Sequence, residues 1–294
     1  MTLVQLVVSG IMLGAVYALM SVGLTLIFGV LRIVNFAHGE FLMLSMYGAW
    51  AASAYLKINP YLAAIGIIPL LFVFGLLVYR YIIDRTLNKP HLVVVFATMA
   101  LSIFMQNVAL MLFSADLHDV PPLFGGKTLE FAGIYARSEL VLGFAIALVV
   151  TAFLMWGLRA TYPGKAVRAT VQDREAAALM GIPVPRVFLI TFASGSALVG
   201  LAGCIMLPLF SVFPTVGLNF ILIAFVVVVL GGMGSVEGAL IGGILLGIIQ
   251  NVSAYFVAAA YGQMFYFLLF LLVMIFRPSG LLGQKGTATL GMND

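Results

Sequence analysis

The chain has 294 residues, of which 64% are hydrophobic and only 8% are charged, and its mean hydropathy is +1.20. A soluble domain of this length does not carry so little charge. The apolar runs recur at helical length and not as short alternating segments, which excludes a membrane barrel. The composition therefore predicts an all-α, polytopic transmembrane bundle that forms a single domain over residues 1–294.

Nine apolar runs can be read along the chain. In chain order they are residues 3–30, 41–56, 61–83, 92–113, 140–158, 187–212, 218–230, 239–259 and 264–276. Because boundaries read from sequence shift by several residues, we expect roughly eight to ten spans, some of them interrupted helices.

Basic residues predict which loops face the cytoplasm, because Lys and Arg concentrate there. Ten of the fourteen fall on one side: three in 80–91, five in 159–187, and Arg277 and Lys285 in the tail. The opposite loop 114–139 carries four acids. We therefore expect the N-terminus outside and the C-terminus in the cytoplasm. The net charge of +4 is a topology signal on this reading, and membrane lipid, not nucleic acid, is the expected environment.

The first apolar run is followed by a polar break. Asn35, His38, Gly39 and Glu40 interrupt otherwise apolar sequence, and ionisable groups within a span are costly and tend to mark function. We expect these four residues to line a substrate path. Two geometries remain open: a long tilted first helix with a surface loop, or a turn near 21–23 followed by a second span broken inside the membrane. The alternative role for the histidine is helix packing, and for the glutamate a helix cap.

A second break divides the apolar sequence at 226–248. Its predicted path residues are Gly231, Gly232, Gly234, Ser235 and Glu237. Both breaks combine an apolar run, glycine, a glutamate and a helix of small residues, which predicts a weak internal repeat of the kind found in transporters. Helices that restart near Gly39 and Ser235 would favour a carboxylate, so the glutamates are assigned to structure or to an ammonium group.

Residues 164–187 form the only long polar stretch on the predicted inner side. Thr170 and Asp173 predict an N-cap, and Gly181 and Pro183 predict the end of a helix of about three turns. Its expected apolar face consists of Val171, Ala178, Leu179 and Ile182. Such a face docks on a partner protein or lies on lipid head groups.

Other polar and small residues within the spans have structural interpretations. Gln106 and Asn107 predict interhelical hydrogen bonds, and the spacing of Gly195 and Gly203 predicts close helix packing. Cys204, the single cysteine, excludes an internal disulfide and a thiolate metal cluster. The chain carries no HExxH or GxSxG motif, and its GGKT stretch at 125–128 lacks the first glycine of a phosphate-binding loop. We therefore predict no catalytic residue, metal or cofactor.

Several segments together resemble a known family. They are FGVLRIVNFAHGEFLMLSMYGAW, MALSIFMQN, VLGGMGSVEGALIGGILLGI and RPSGLLG, in this order. They resemble the LivH-type permease of branched-chain amino acid ABC importers, including its urea-importing relatives. Glu175, Ala176, Ala177 and Gly181 resemble the "EAA" coupling region of such permeases.

The resemblance implies a transport subunit of the bacterial inner membrane that is not itself an enzyme. Its implied partners are a second homologous permease, two cytoplasmic ATPases that hydrolyse ATP, and a periplasmic substrate-binding protein. The residues implied to couple to an ATPase are Asp173, Arg174, Glu175, Ala176, Ala177, Leu179 and Gly181. The expected cargo is a branched-chain or other hydrophobic amino acid. The alternatives are urea or a short amide, or an ion-gradient-driven transporter in which His38, Glu40 and Glu237 couple to the ion.

Overall fold

The computed structural model describes residues 2–122, 125–131, 133–257, 262–277 and 280–283. These residues contain eleven α-helices, and each of the nine predicted apolar runs overlaps one of them. The helices are α1 (Thr2–Leu31), α2 (His38–Leu56), α3 (Pro60–Val78, continued by a π-helical turn Tyr79–Ile83), α4 (His91–Phe113), α5 (Ser138–Ala160), α6 (Tyr162–Gln172), α7 (Arg174–Leu179), α8 (Val184–Met206), α9 (Val216–Gly231), α10 (Val236–Phe256) and α11 (Gly262–Phe276). Six of them, α1, α3, α4, α5, α8 and α10, are long and apolar enough to cross a membrane. The polytopic helical class is confirmed.

Two features differ from the sequence prediction. The loop before α5 contains an antiparallel hairpin of β1 (Thr128–Phe131) and β2 (Ile134–Arg137). The sixth apolar run is not helical to its end, because α8 stops at Met206 and residues 207–215 are irregular. Pro208 and Pro214 lack the N–H that a continued helix needs, although the segment is as apolar as a helix. Lys285 and residues 258–259 of the predicted runs lie outside the described residues.

The bundle has two chemically different ends. At the hairpin end, the N–H of Tyr135 donates to the Gln5 side chain at 2.8 Å, and Arg137 donates to the Pro208 carbonyl at 3.3 Å. At the other end, called the basic end, Arg159 pairs with Glu237 and Arg168 donates to the Leu158 carbonyl. The basic segments of the sequence thus gather at one end of the bundle.

The centre of the bundle consists of two groups of three helices, α1–α2–α3 and α8–α9–α10. Corresponding helices of the two groups run in opposite directions. Helix α1 runs from the hairpin end to the basic end and packs along α10, whereas α8 runs the other way and packs along α3. Glycines make these approaches close: a methyl group at Gly14 would lie 2.5 Å from the Gly243 carbonyl oxygen. Helices α1 and α8 cross where a methyl at Gly23 would lie 2.6 Å from the Gly195 carbonyl, as the spacing of Gly195 predicts.

Each group of three contains a shorter helix that begins near the middle of the bundle. The N-termini of α2 and α9 meet there, so closely that a methyl group at Gly39 would overlap the carbonyl oxygen of Gly217. From this point α2 runs to the hairpin end and α9 to the basic end. The unit α1–α2–α3 is therefore repeated by α8–α9–α10 in inverted orientation, as in many transporters. The predicted pairing of breaks is wrong, because 207–215, not 231–238, is the counterpart of 32–37.

Candidate functional site: a central junction and a coupling segment

The first break leads into the middle of the bundle. Helix α1 continues unbroken through 21–23, so the predicted turn there is wrong. A simple surface loop is wrong as well, because the ring Nε2 of His38 lies 3.2 Å from the Met20 carbonyl oxygen, deep along α1. Helix α2 thus begins beside Gly23, about 12 Å along the axis before α1 ends at a rise of 1.5 Å per residue. We call Asn35, His38, Gly39, Glu40 and Gly217 the central junction.

Glu40 is the acidic group of the central junction, and its side chain has no solvent exposure. One carboxylate oxygen, Oε1, accepts hydrogen bonds from Ser102 Oγ at 3.1 Å and from Gln106 Nε2 at 2.7 Å, both on α4. The other oxygen, Oε2, has no hydrogen-bond partner among the described residues and faces the first turn of α9, where a Cβ on Gly217 would lie 2.5 Å away. Glu40 thereby connects α2, α4 and α9.

The sequence anticipated only part of this network. The predicted interhelical role of Gln106 is confirmed, whereas Asn107 donates within its own helix to the Ile103 carbonyl at 2.7 Å. Ser102 was missed, because a serine inside an apolar helix gives no sign of a partner 62 residues earlier in the chain.

Further polar atoms of the central junction lack partners. Asn35 uses its Oδ1 to accept from the Ala37 N–H at 3.1 Å, which closes the turn before α2. Its Nδ2, the Nδ1 of His38 and the Oε2 of Glu40 are buried without a partner among the described residues. Buried polar groups are nearly always paired, so three unpaired atoms in one place point to a functional role. The junction offers donor, acceptor and helix N-terminal groups, which suit a small zwitterion.

The second predicted group of path residues lies elsewhere. Gly231, Gly232, Gly234, Ser235 and Glu237 form the turn between α9 and α10 at the basic end, separated from the central junction by the length of α9. Ser235 accepts from the Gly238 N–H at 3.0 Å and caps α10, while Glu237 is half exposed and paired with Arg159. The structure therefore does not bring the predicted path residues of the first break together with those of the second. Glu237 lies in the first turn of α10, in agreement with the alternative prediction that it is a helix-cap residue.

The predicted cytoplasmic helix is two helices, α6 and α7. Thr170 is not an N-cap, because it lies inside α6 and its hydroxyl donates to the Ala166 carbonyl at 2.9 Å. Asp173 is the N-cap, and its Oδ1 accepts from the N–H groups of Glu175 at 2.9 Å and Ala176 at 3.0 Å. Gly181, with φ of +81°, follows the end of α7 as predicted. Helix α7 therefore has six residues, not three turns.

The apolar face of α7 also differs from the prediction. Val171 belongs to α6, and Ala177 is the residue that packs against the bundle. Leu179 and Met180 are 88% and 83% exposed and form one apolar protrusion at the end of α7. The sequence predicted Leu179 for this face but missed Met180.

Arg174 attaches α7 to the bundle. Its guanidinium donates to the carbonyls of Leu31 at 2.9 Å and Val30 at 3.2 Å, the last carbonyls of α1, and lies 5.0 Å above the ring centre of Phe188 on α8. Burial, followed by the charge of Arg32, lowers the pKa of Arg174 from its ordinary value. The guanidinium remains charged at any physiological pH. Arg174 therefore links α7 to the end of α1 and to α8.

An inverted helical repeat with a buried polar junction at the N-termini of two helices is a feature of membrane transporters. The family described as "Branched-chain amino acid transport system / permease component" matches residues 6–274, and the chain belongs to it. It is 31% identical to the Escherichia coli protein named "High-affinity branched-chain amino acid transport system permease protein LivH", over 95% of both chains. The Pseudomonas aeruginosa permease protein BraD, with the same description, is 30% identical, again over 95% of both chains. A Methanocaldococcus jannaschii relative named as a probable LivH is 26% identical over 90% of this chain and 88% of its own length. No solved structure matches the chain.

Proposed function

We propose that the chain is the translocation subunit of an ATP-driven importer that carries a branched-chain or similar hydrophobic amino acid across the bacterial inner membrane. The proposed partners are a second homologous permease, two cytoplasmic ATPases and a periplasmic binding protein. The observation that carries the proposal is the exposed apolar protrusion of α7, held to α1 and α8 by Arg174.

The α7 segment suits an ATPase groove for two reasons. Leu179 and Met180 expose apolar surface beyond the bundle, and a short helix capped by Asp173 is rigid enough to transmit a push. The groove would contact Asp173, Glu175, Ala176, Leu179 and Gly181, while Arg174 and Ala177 face the bundle. Closure of the ATPases would then move α1 and α8, which cross beside the central junction.

The central junction is the proposed gate on the substrate path. It lies inside the bundle, where the two inverted units meet, and transporters place their cargo at such a meeting point. The N-termini of α2 and α9 favour a carboxylate, and the Glu40 carboxylate favours an ammonium group, so the two together match a zwitterionic amino acid. Residues 231–237 would lie on the path's cytoplasmic side.

Reconstitution tests the energy source and the cargo. The chain is assembled with its partner subunits in liposomes, and uptake of radiolabelled leucine and of urea is measured with ATP inside and the binding protein outside. We expect leucine uptake that needs ATP and survives ionophores. Uptake that is lost with the ion gradient while ATP remains would replace the proposal by a secondary transporter, and uptake of urea alone would reassign the cargo.

A substitution at Leu179 tests the coupling role. Leu179→Glu places a charge on the protrusion, so we expect the ATPases to dissociate from the purified complex and ATP-driven uptake to be lost. Leu179→Met keeps an apolar side chain of similar volume and serves as the matched control. If the two variants retain the ATPases equally, α7 is not part of the interface with the ATPases.

The proposed orientation places the hairpin end outside and the basic end in the cytoplasm. Cys204 is buried, so the chain has a low background for labelling of introduced cysteines. With a membrane-impermeant maleimide, Lys127→Cys should react in intact cells and Lys165→Cys only after permeabilisation. The reverse pattern would invert the topology.

A further inference from the structure

A cavity of about 380 Å³ opens at the basic end, between α1, α5, α6 and the α9–α10 turn. This volume falls in the range of about 300–1,000 Å³ that is usual for small-ligand sites. The cavity is separate from the central junction, none of whose residues lines it. Helix α5, which forms one wall of the cavity, is mostly exposed, so this side of the cavity lies at the surface of the bundle.

The mouth of the cavity is lined by three arginines, Arg32, Arg159 and Arg168. Each is held in place by one contact: Arg32 with the Val171 carbonyl at 3.5 Å, Arg168 with the Leu158 carbonyl at 2.9 Å, and Arg159 with Glu237. A guanidinium has five N–H donors, so each retains donors for a ligand. With the single acid Glu237 beside them, the mouth carries a net positive charge.

The interior of the cavity is amphipathic. Leu26, Phe28 and Met155 supply apolar wall, and Thr25 lies at its inner end, two turns of α1 from Arg32. Thr25 has no solvent exposure, and its hydroxyl has no partner among the described residues. A buried hydroxyl without a partner normally costs stability, and a ligand oxygen that approached from the cavity would offset this cost once the neighbouring side chains moved apart.

We infer that this cavity binds the phosphate head group of an anionic phospholipid. Arginine clusters between membrane helices at the cytoplasmic surface are suited to phosphodiesters, which accept paired guanidinium N–H groups. The glycerol hydroxyls of such a head group reach towards Thr25, and its acyl chains leave along the exposed faces of α5 and α10. The three arginines belong neither to α7 nor to the central junction, whereas Gly234, Ser235 and Glu237 of the α9–α10 turn line both this cavity and the proposed cytoplasmic side of the substrate path.

Native mass spectrometry of the full-length chain tests the site. The delipidated chain is mixed with phosphatidylglycerol, with phosphatidylcholine or with inorganic phosphate. We expect one tightly retained phosphatidylglycerol, and retention about fivefold weaker for each arginine removed in Arg32→Gln and Arg168→Gln, since a basic residue near an anionic lipid contributes about 1 kcal/mol. Arg80→Gln is the matched control, because Arg80 pairs with Asp84 outside the cavity.

The Thr25→Val variant distinguishes binding at a specific site from nonspecific attraction of anionic lipid to the basic surface. The substitution keeps the shape of the side chain and the charge of the mouth, yet it removes the inner hydroxyl, so we expect weaker retention of phosphatidylglycerol by this variant too. Equal retention by the parent and all variants overturns the inference. Retention of inorganic phosphate without retention of phosphatidylglycerol would overturn the lipid assignment as well. Displacement of the lipid by leucine would have the same consequence.

Discussion

The central junction and the α9–α10 turn share a sequence pattern of glycine and glutamate but have opposite environments. Glu40 is fully buried and hydrogen-bonded to neutral side chains of α4. Glu237 is half exposed and paired with Arg159. Both glutamates lie in the first turn of a helix, but the first turn of α2 is enclosed by other helices whereas that of α10 faces solvent. The difference arises from what surrounds each glutamate, which the local sequence does not encode.

The largest effect is expected for Gly39→Ala. The added methyl group would overlap the Gly217 carbonyl oxygen, and backbone on both sides leaves little room for relaxation. We expect the free energy of unfolding to fall by about 3 kcal/mol, with loss of transport. Thermal unfolding of the purified chain measures the change. Gly66→Ala, where a methyl meets no neighbouring atom, is the control and should be near neutral.

Glu40→Ala should have the next largest effect. It leaves Ser102 and Gln106 without their common acceptor, so we expect a loss of about 2 kcal/mol in stability. Glu40→Gln retains an acceptor oxygen and should recover most of that stability without restoring transport. If Glu40→Gln transports at the parental rate, the carboxylate charge has no role in the gate.

A smaller loss is expected for Ser102→Ala. The variant removes one hydrogen bond to Glu40 and leaves the bond from Gln106, which corresponds to about 1 kcal/mol. Ser253→Ala serves for comparison, because its hydroxyl donates only to the Gln250 carbonyl in its own helix. If Ser102→Ala and Ser253→Ala lower the thermal stability by the same amount, a hydrogen-bond network between α2 and α4 is contradicted.

The smallest effect is expected for Glu237→Gln. Its ion pair with Arg159 is exposed to solvent, and exposed pairs contribute about 0.5 kcal/mol or less once screening is counted. Transport and thermal unfolding should both remain close to the parent. A defect as large as that of Glu40→Ala would show that the two glutamates act in the same step.

The helices were predictable because membrane spans depend on apolar length. Runs such as 92–113 and 264–276 match α4 and α11 within two residues at each end. The irregular segment 207–215 was missed because its composition is as apolar as the helix before it. Pro208 and Pro214 are the local signal that a helix does not continue, whereas the return of the chain into the bundle depends on packing between distant helices.

The candidate site was predictable in its residues but not in its contacts. Glu40 and His38 were identified because a buried ionisable group is costly, and Asp173 because N-caps have a local signature. Gly217, Ser102 and Arg174 were missed as partners. Each acts across a helix interface, and a single sequence contains no information on which distant helix packs nearby.

The Gly23–Gly195 crossing divides α1 into unequal arms. At 1.5 Å per residue, about 12 Å of helix lies between Gly23 and the carbonyls held by Arg174, and about 32 Å between Gly23 and the hairpin end. If the crossing is a fulcrum, a displacement of α7 is reversed in sense and magnified between two- and threefold at the far end, by about the ratio of these arms. Helix α1 alone would then close the bundle at one end while opening it at the other, with no further element needed to connect the two ends.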